Sequence, residues 1–305
     1  MSLTSKHLLG MQNAPVEDIN LILDTARTFR EVLERPVKKV PTLQGITICN
    51  LFYENSTRTR LSFELAEKRL SADTINFSKA GSSAAKGESF KDTVRNIEAM
   101  KVDMIVVRHE SAGVPLFLTK VTSAKVINAG DGIHEHPTQA LLDLYSIREK
   151  KGKFEGLKVC IVGDIAHSRV ALSNIFALKT LGAEVSVCGP LSMMPRHIEK
   201  LGVKVLHRID EAIAENDVIN VLRIQLEREA GSSIPSVREY HNYFGVTAER
   251  IENNNPDILI LHPGPINRGV EISSEVADGP YQIILDQVTN GVAVRMAVLY
   301  LLGGK

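Results

Sequence analysis

Short aliphatic and β-branched runs alternate with amphipathic stretches along most of the chain. ITICNLF (46–52) predicts a strand, and STRTRLSFELAEKRL (56–70) predicts a helix with Leu61, Phe63 and Leu65 on or near one face. DTINFS (73–78), MIVVR (104–108) and AKVINAG (124–130) read as further strands. ESFKDTVRNIEAM (88–100) reads as a helix. PTQALLDLYSIREKKG (137–152) is a long helix whose apolar positions Leu141, Leu142, Leu144, Tyr145 and Ile147 fit a helical period.

The alternation restarts after the charged run EKKGK. LKVCIVGD (157–164) has the continuous apolar character of a strand buried on both faces. SRVALSNIFALKTLG (168–182) is a helix stopped by Gly182. EVSVCGP predicts a strand, RHIEKLG a helix, KVLHRI a strand, DEAIAEN a short helix and DVINVLRI (217–224) a strand. DILILHPGP (257–265) predicts a strand running into a rigid turn, and NGVAVRMAVLYLLGG (290–304) an apolar helix. This pattern predicts an α/β protein of two doubly wound domains, each with a mainly parallel sheet flanked by helices. The expected boundaries are 1–150 for the first domain, with the C-terminal helix 288–305 packing back on it, and 151–287 for the second.

Composition narrows the possibilities. The 305 residues carry 36 Lys+Arg against 36 Asp+Glu, so a broad cationic footprint for nucleic acid or an anionic membrane is not expected. No apolar run approaches the roughly 20 residues that span a bilayer. The first residues lack the apolar core of a secretory signal, and a cytoplasmic location is expected. The three cysteines, Cys49, Cys160 and Cys188, each sit inside a strand-like run and read as small buried hydrophobes.

Candidate chemistry gathers at predicted strand ends. In LFYENSTRTRLSFE a strand runs into Asn55, Ser56 and Thr57, all good helix caps. The free N–H groups and positive end of that helix suit an anion. Ser56, Thr57 and Thr59 add hydroxyl donors, and Arg58 adds a planar fork for phosphate oxygens. An ordinary capped helix with solvent-facing arginines is the alternative. Arg108 falls where MIVVR ends, either a ligand contact or a surface arginine. His136 stands at a strand–helix junction with Pro137 opening the helix. It can donate to a substrate carbonyl, cap the helix or, with His134, ligate a metal, although no third ligand is close in sequence. Lys86 lies on the small polar loop 77–90, as an anion ligand or a solvated lysine.

In the second half, VGDIAHSRV lacks the glycine spacing of a dinucleotide fingerprint, which weakens an oxidoreductase reading. Arg169 lies in a first helical turn, where a cation opposes the dipole and invites an anionic partner. Arg223 and Gln225 are two apart just past a strand end, so in extended chain they point the same way, at a carboxylate or at solvent. LHPGPINRG is a stiff turn whose carbonyls can accept from an amide, or a purely structural corner.

Together, STRTR at 56–60, Arg108 and HPTQ at 136–139 resemble the aspartate/ornithine carbamoyltransferase family over essentially the whole chain. Arg223-Ile224-Gln225 and His262-Pro263-Gly264-Pro265 resemble its aspartate branch rather than its ornithine branch, which has an SMG segment and an HCLP turn. Chemistry agrees with that choice, because a dianionic amino acid needs cationic forks. The resemblance implies transfer of a carbamoyl group from carbamoyl phosphate to L-aspartate, with another amine such as ornithine as the alternative acceptor. It implies that Ser56, Thr57, Arg58, Thr59, Arg108, His136, Gln139, Gly264 and Pro265 hold carbamoyl phosphate, with Arg58, Thr59, Arg108 and His136 catalytic. Arg169, Arg223 and Gln225 would hold aspartate. It implies a homotrimer in which Ser82 and Lys86 reach a neighbour's site, Lys86 also toward aspartate, and no metal or organic cofactor. Between Asp164 and Arg169 stands Ile-Ala-His-Ser, where some members have Lys and Tyr linked to subunit-level regulation. HPGPINRGVE resembles members without a simple link to regulatory chains, some associating with dihydroorotase.

Overall fold

The computed structural model describes residues 2–78, 88–225 and 236–304. The chain divides into two compact units, Met1–Tyr145 with Thr289–Lys305, and Ser146–Val288. Both follow the strand–helix alternation of the sequence.

The first unit contains α1 (Val16–Glu34), β1 (Thr47–Phe52), α2 (Thr57–Arg69), β2 (Asp73–Ser78), α3 (Phe90–Ala99), β3 (Met104–His109), α4 (Val114–Leu118) and β4 (Lys125–Asp131). α5 (Pro137–Lys151) begins in it. Its strands form one parallel sheet in the order β2-β1-β3-β4. The chain therefore reverses its direction of travel between β1 and β3. Ligands of open parallel sheets sit outside the carboxyl ends of strands at such a switch point. Cys49, Leu51, Ile105, Val107 and Val126 fill the core below it.

The second unit contains β5 (Lys158–Val162), α6 (Arg169–Thr180), β6 (Glu184–Cys188), β7 (Lys204–Leu206), α7 (Ile209–Glu215), β8 (Val218–Val221), α8 (Val237–Phe244), α9 (Ala248–Asn254), β9 (Leu259–Leu261) and α10 (Ser274–Ala277). Its parallel sheet runs β7-β6-β5-β8-β9, with the switch between β5 and β8. α11 (Ile284–Gly303) closes the chain, and its residues from Thr289 onward belong to the first unit.

Several elements depart from the sequence expectation. α1 was not marked by a strong strand–helix boundary, yet it buries Ile19, Ile22, Leu23, Ala26 and Phe29 on one stripe. The expected helix at 196–202 is a 3₁₀ turn over Ile198–Leu201, entered through His197 at a positive φ. The strand expected through residue 224 stops at Val221, where its pairing with Val162 ends. The strand before the HPGP turn covers only Leu259–Leu261, since Pro263 and Pro265 cannot donate to a ladder. α5 is not merely amphipathic. It is buried on every side from His136 to Ile147, including Thr138, Gln139, Asp143 and Ser146. All three cysteines are buried and outside any disulfide.

Candidate active site

In the first unit the predicted residues converge on the carboxyl ends of β1, β3 and β4. Ser56 occupies the N-cap of α2 with extended backbone, and its side chain makes no capping bond. The first-turn N–H groups of α2 thus keep their donors for another acceptor. Thr57 and Arg58 are exposed while Thr59 is buried. Arg108 ends β3. Its Nη2 donates to Glu54 Oε1 at 2.9 Å, and its Nη1 donates to the Ala129 carbonyl at 3.1 Å. Both partners of the ion pair are largely enclosed.

His136 is buried at the N-terminal end of α5. The turn before it is closely tied. Asp131 accepts from Gly113 N, Asn128 Nδ2 and Glu135 N, and Glu135 accepts from Met11 N and Gln12 N. Gly132 has φ +51, and a Cβ there would meet Ala112 N at 2.9 Å. Only glycine fits this approach. Gln139 Nε2 donates to the buried Asp143 Oδ1 at 3.0 Å. His134 is turned instead to Asp131, with Nδ1 3.1 Å from Oδ2. Among the described residues no His, Cys, Asp and Glu group of three or more is placed to hold a metal.

In the second unit Arg169 is the first residue of α6 and is buried; Ser168 caps that helix, accepting from Ala171 N at 3.1 Å. Arg223 and Gln225 follow β8 in irregular chain on either side of the fully buried Ile224. Gln225 Oε1 is buried and meets no donor among the described residues. Gly264 has φ +63 and Pro265 follows a cis peptide in the turn after β9. The residues thus stand after β5, β8 and β9, beside that sheet's switch point. Ser82 and Lys86 lie outside the described residues.

Sequence reasoning missed some residues that the geometry adds. Glu54 is a carboxylate between a strand end and an anion-suited helix, a misplaced charge that marks it in hindsight. Arg295, in α11, is buried; its Nη1 donates to Ser62 Oγ at 3.1 Å and to the Gly291 carbonyl, and its guanidinium lies 5.1 Å from the Phe63 ring centre. Burial lowers its pKa to about 10, opposed by Asp143 and reinforced by Arg108. No local motif announces it.

Residues 6–149 match the carbamoyl-phosphate-binding domain of aspartate/ornithine carbamoyltransferases, and residues 155–302 match the Asp/Orn-binding domain. The chain belongs to the aspartate/ornithine carbamoyltransferase family. Within this family it is similar to the aspartate carbamoyltransferase catalytic subunit of Cytophaga hutchinsonii, 63% identical over 302 residues, covering 99% of this chain and 98% of that one. Among solved structures it resembles the catalytic subunit of M. jannaschii aspartate transcarbamoylase, with TM-score 0.84, 37% identity and 98% of each chain covered. It also resembles Trypanosoma cruzi aspartate transcarbamoylase in complex with carbamoyl phosphate, with TM-score 0.87, 28% identity and 98% and 96% covered. The carbamoyltransferase match thus extends over both units.

Proposed function

We propose that this chain is an aspartate carbamoyltransferase, moving the carbamoyl group of carbamoyl phosphate to the α-amine of L-aspartate. The products are N-carbamoyl-L-aspartate and phosphate, a step of pyrimidine synthesis. The observation that carries the reading is a division of charge between the units. In the first, Arg108 lies near the end of β3 and Arg58 in the uncapped first turn of α2, after the neighbouring strand β1, which supports a phosphate site there. In the second, Arg169 opens α6 and Arg223 follows β8, a pair of cations that supports a dicarboxylate and not a cationic side chain.

In this reading Ser56, Thr57, Arg58, Thr59 and Arg108 hold the phosphate. Thr59, Arg108 and His136 polarise the carbonyl and stabilise the oxyanion of the tetrahedral intermediate. His136 acts as a neutral donor, since Arg108 already supplies a cation. Gln139 and the chain at Gly264-Pro265 orient the carbamoyl NH2. Arg169 takes the α-carboxylate, and Arg223 and Gln225 take the side-chain carboxylate. The amine nitrogen attacks the carbonyl carbon, the bond from that carbon to phosphate oxygen breaks, and phosphate leaves with a proton from the amine. No protein nucleophile is required, and orientation of two bound substrates supplies much of the rate.

The reading extends to a homotrimer with Ser82 and Lys86 donated to a neighbour. Support comes from β2, a sheet edge with Ile75 exposed, and from Leu61 and Leu65, exposed one turn apart on the adjacent α2. An apolar edge left uncovered among the described residues calls for a partner. Mixing Lys86→Ala chains with Arg58→Ala chains should restore activity; no recovery would count against shared sites. Association with dihydroorotase chains rests on the HPGPINRGVE resemblance alone, and that resemblance speaks against a simple link to regulatory chains. Cytoplasmic residence is part of the same reading; no described helix is long and apolar enough to cross a membrane.

The T. cruzi enzyme has been solved in complex with N-(phosphonacetyl)-L-aspartic acid. That bisubstrate compound should inhibit this chain tightly and in competition with carbamoyl phosphate. Inhibition no better than that by phosphate alone would overturn the assignment of both substrates to one catalytic chain.

A further inference from the structure

Behind the two substrate-facing segments of the second unit lies a buried polar hub. His262 and Glu271 are both fully enclosed, with Nε2 of the ring 3.1 Å from Glu271 Oε1. His262 Nδ1 accepts from Gly264 N at 2.8 Å. Its proton therefore sits on Nε2 and is donated to Glu271. Glu271 Oε1 also accepts from Asn267 N at 2.6 Å, and Oε2 accepts from Asn267 Nδ2 at 3.2 Å. The same Asn267 amide donates to the Ile224 carbonyl at 2.8 Å. His262 N in turn donates to Gln287 Oε1 at 3.0 Å.

The connections have a direction. One arm runs from Glu271 through His262 to Gly264, at the HPGP turn. The other runs from Glu271 through Asn267 to Ile224, which lies between Arg223 and Gln225. The side chain of Ile224 is buried with Met193, Tyr240 and Val270. With its carbonyl held as well, Ile224 is fixed at both backbone and side chain. A residue fixed in that way sets the exit directions of its two neighbours. β8 ends at Val221, so no ladder does this for 223–225.

We propose that Glu271 and Asn267 are positioning residues for the reaction, with Asn267 setting the aspartate-binding pair Arg223 and Gln225 and Glu271 coupling that pair to the Gly264-Pro265 turn. The inference rests on the proposed roles of those four residues. Glu271 touches no reacting atom; it acts through the bonds above. Its burial makes the coupling stiff, because a buried carboxylate is stable only while its acceptor positions are filled.

The two arms predict different kinetic signatures. Asn267→Ala cuts the link to the Ile224 carbonyl but keeps the backbone donor to Glu271. It should raise the KM for aspartate about tenfold, with the KM for carbamoyl phosphate and kcat within about threefold of the parent. Glu271→Gln keeps the volume but turns a donor toward His262 or Asn267. It should raise the KM for aspartate and also lower kcat about tenfold or more, because the Gly264-Pro265 turn loosens too. Arg223→Ala is the companion control. If it leaves the KM for aspartate unchanged, the assignment of aspartate to this segment fails, and the positioning role fails with it. If Arg223→Ala raises that KM and Asn267→Ala does not, the positioning role alone is overturned. A loss confined to the active fraction, with both KM values unchanged in folded Asn267→Ala and Glu271→Gln protein, likewise overturns it. Should Asn267→Ala not fold, Asn267→Asp, which keeps the size but removes the donor to Ile224, must show the same selective rise.

Discussion

Arg108 Nη2 lies 2.9 Å from Glu54 Oε1, and the two side chains are nearly enclosed together at the ends of β1 and β3. A carboxylate this close to an arginine proposed to bind phosphate would repel the ligand but also fixes the guanidinium. With Arg108 also donating to the Ala129 carbonyl, its fork is held at two points before substrate arrives. Glu54→Ala is therefore expected to lower kcat/KM about 10- to 100-fold, through misplacement of Arg108 rather than through unfolding. Steady-state kinetics with carbamoyl phosphate varied, beside a thermal melt of the same protein, check this. Unchanged kcat/KM would mean that Arg108 needs no such support.

Arg295 fastens α2 from beneath through Ser62 and the Phe63 ring, and Asp143 compensates its charge. Asp143 in turn accepts from Gln139. Arg295→Met removes the cation and leaves a buried carboxylate behind. The expected cost is about 3–5 kcal/mol of stability. Denaturant unfolding measures it, and weaker binding of carbamoyl phosphate should accompany it.

The helix that carries the STRTR segment also holds a pH-dependent element. Glu67 of α2 is fully buried; Asn50 Nδ2 donates to its Oε2 at 2.9 Å. Burial pushes its carboxyl from 4.5 up to about 7. The folded state thus keeps the proton that the unfolded chain has already lost. Stability falls as pH rises from about 4.5 to about 7 and levels off above it, with a total effect of about 3 kcal/mol. Glu67→Gln should remove this slope and be more stable than the parent at pH 8. Parallel unfolding curves for parent and variant between pH 5 and pH 8 would contradict the assignment.

The cysteines give a chemical check on the core. Burial pushes the Cys49 and Cys160 thiols up to about 12 and raises that of Cys188 as well. A thiol reagent at neutral pH should label none of the three in native protein and all of them after denaturation. Rapid labelling of the folded chain would show that these strands open.

Much of the architecture was legible because each β-branched run was short and each was followed by a capped or amphipathic stretch. The STRTR and HPTQ segments could be placed at strand ends for the same reason. Other features were hidden by their physics. Asp143 and Ser146 read as the polar side of α5, but the helix is covered on every side, which depends on distant partners. Arg295 looked like one charge in an apolar helix. Asn267 sat in a turn that read equally well as structural, with Glu271 just past it, and their proposed role emerges only when Ile224 is brought beside them. Strand ends at 221 and 261 were overestimated because apolar character continues past the last ladder bond.

The claim of aspartate transfer is tested most directly by offering purified chain carbamoyl phosphate and a panel of amines, and measuring carbamoylated product with each. Aspartate should give product readily, with ornithine at least about 1,000-fold poorer in kcat/KM, since in the proposed site its cationic side chain would meet Arg223. Product from ornithine and none from aspartate would contradict the account.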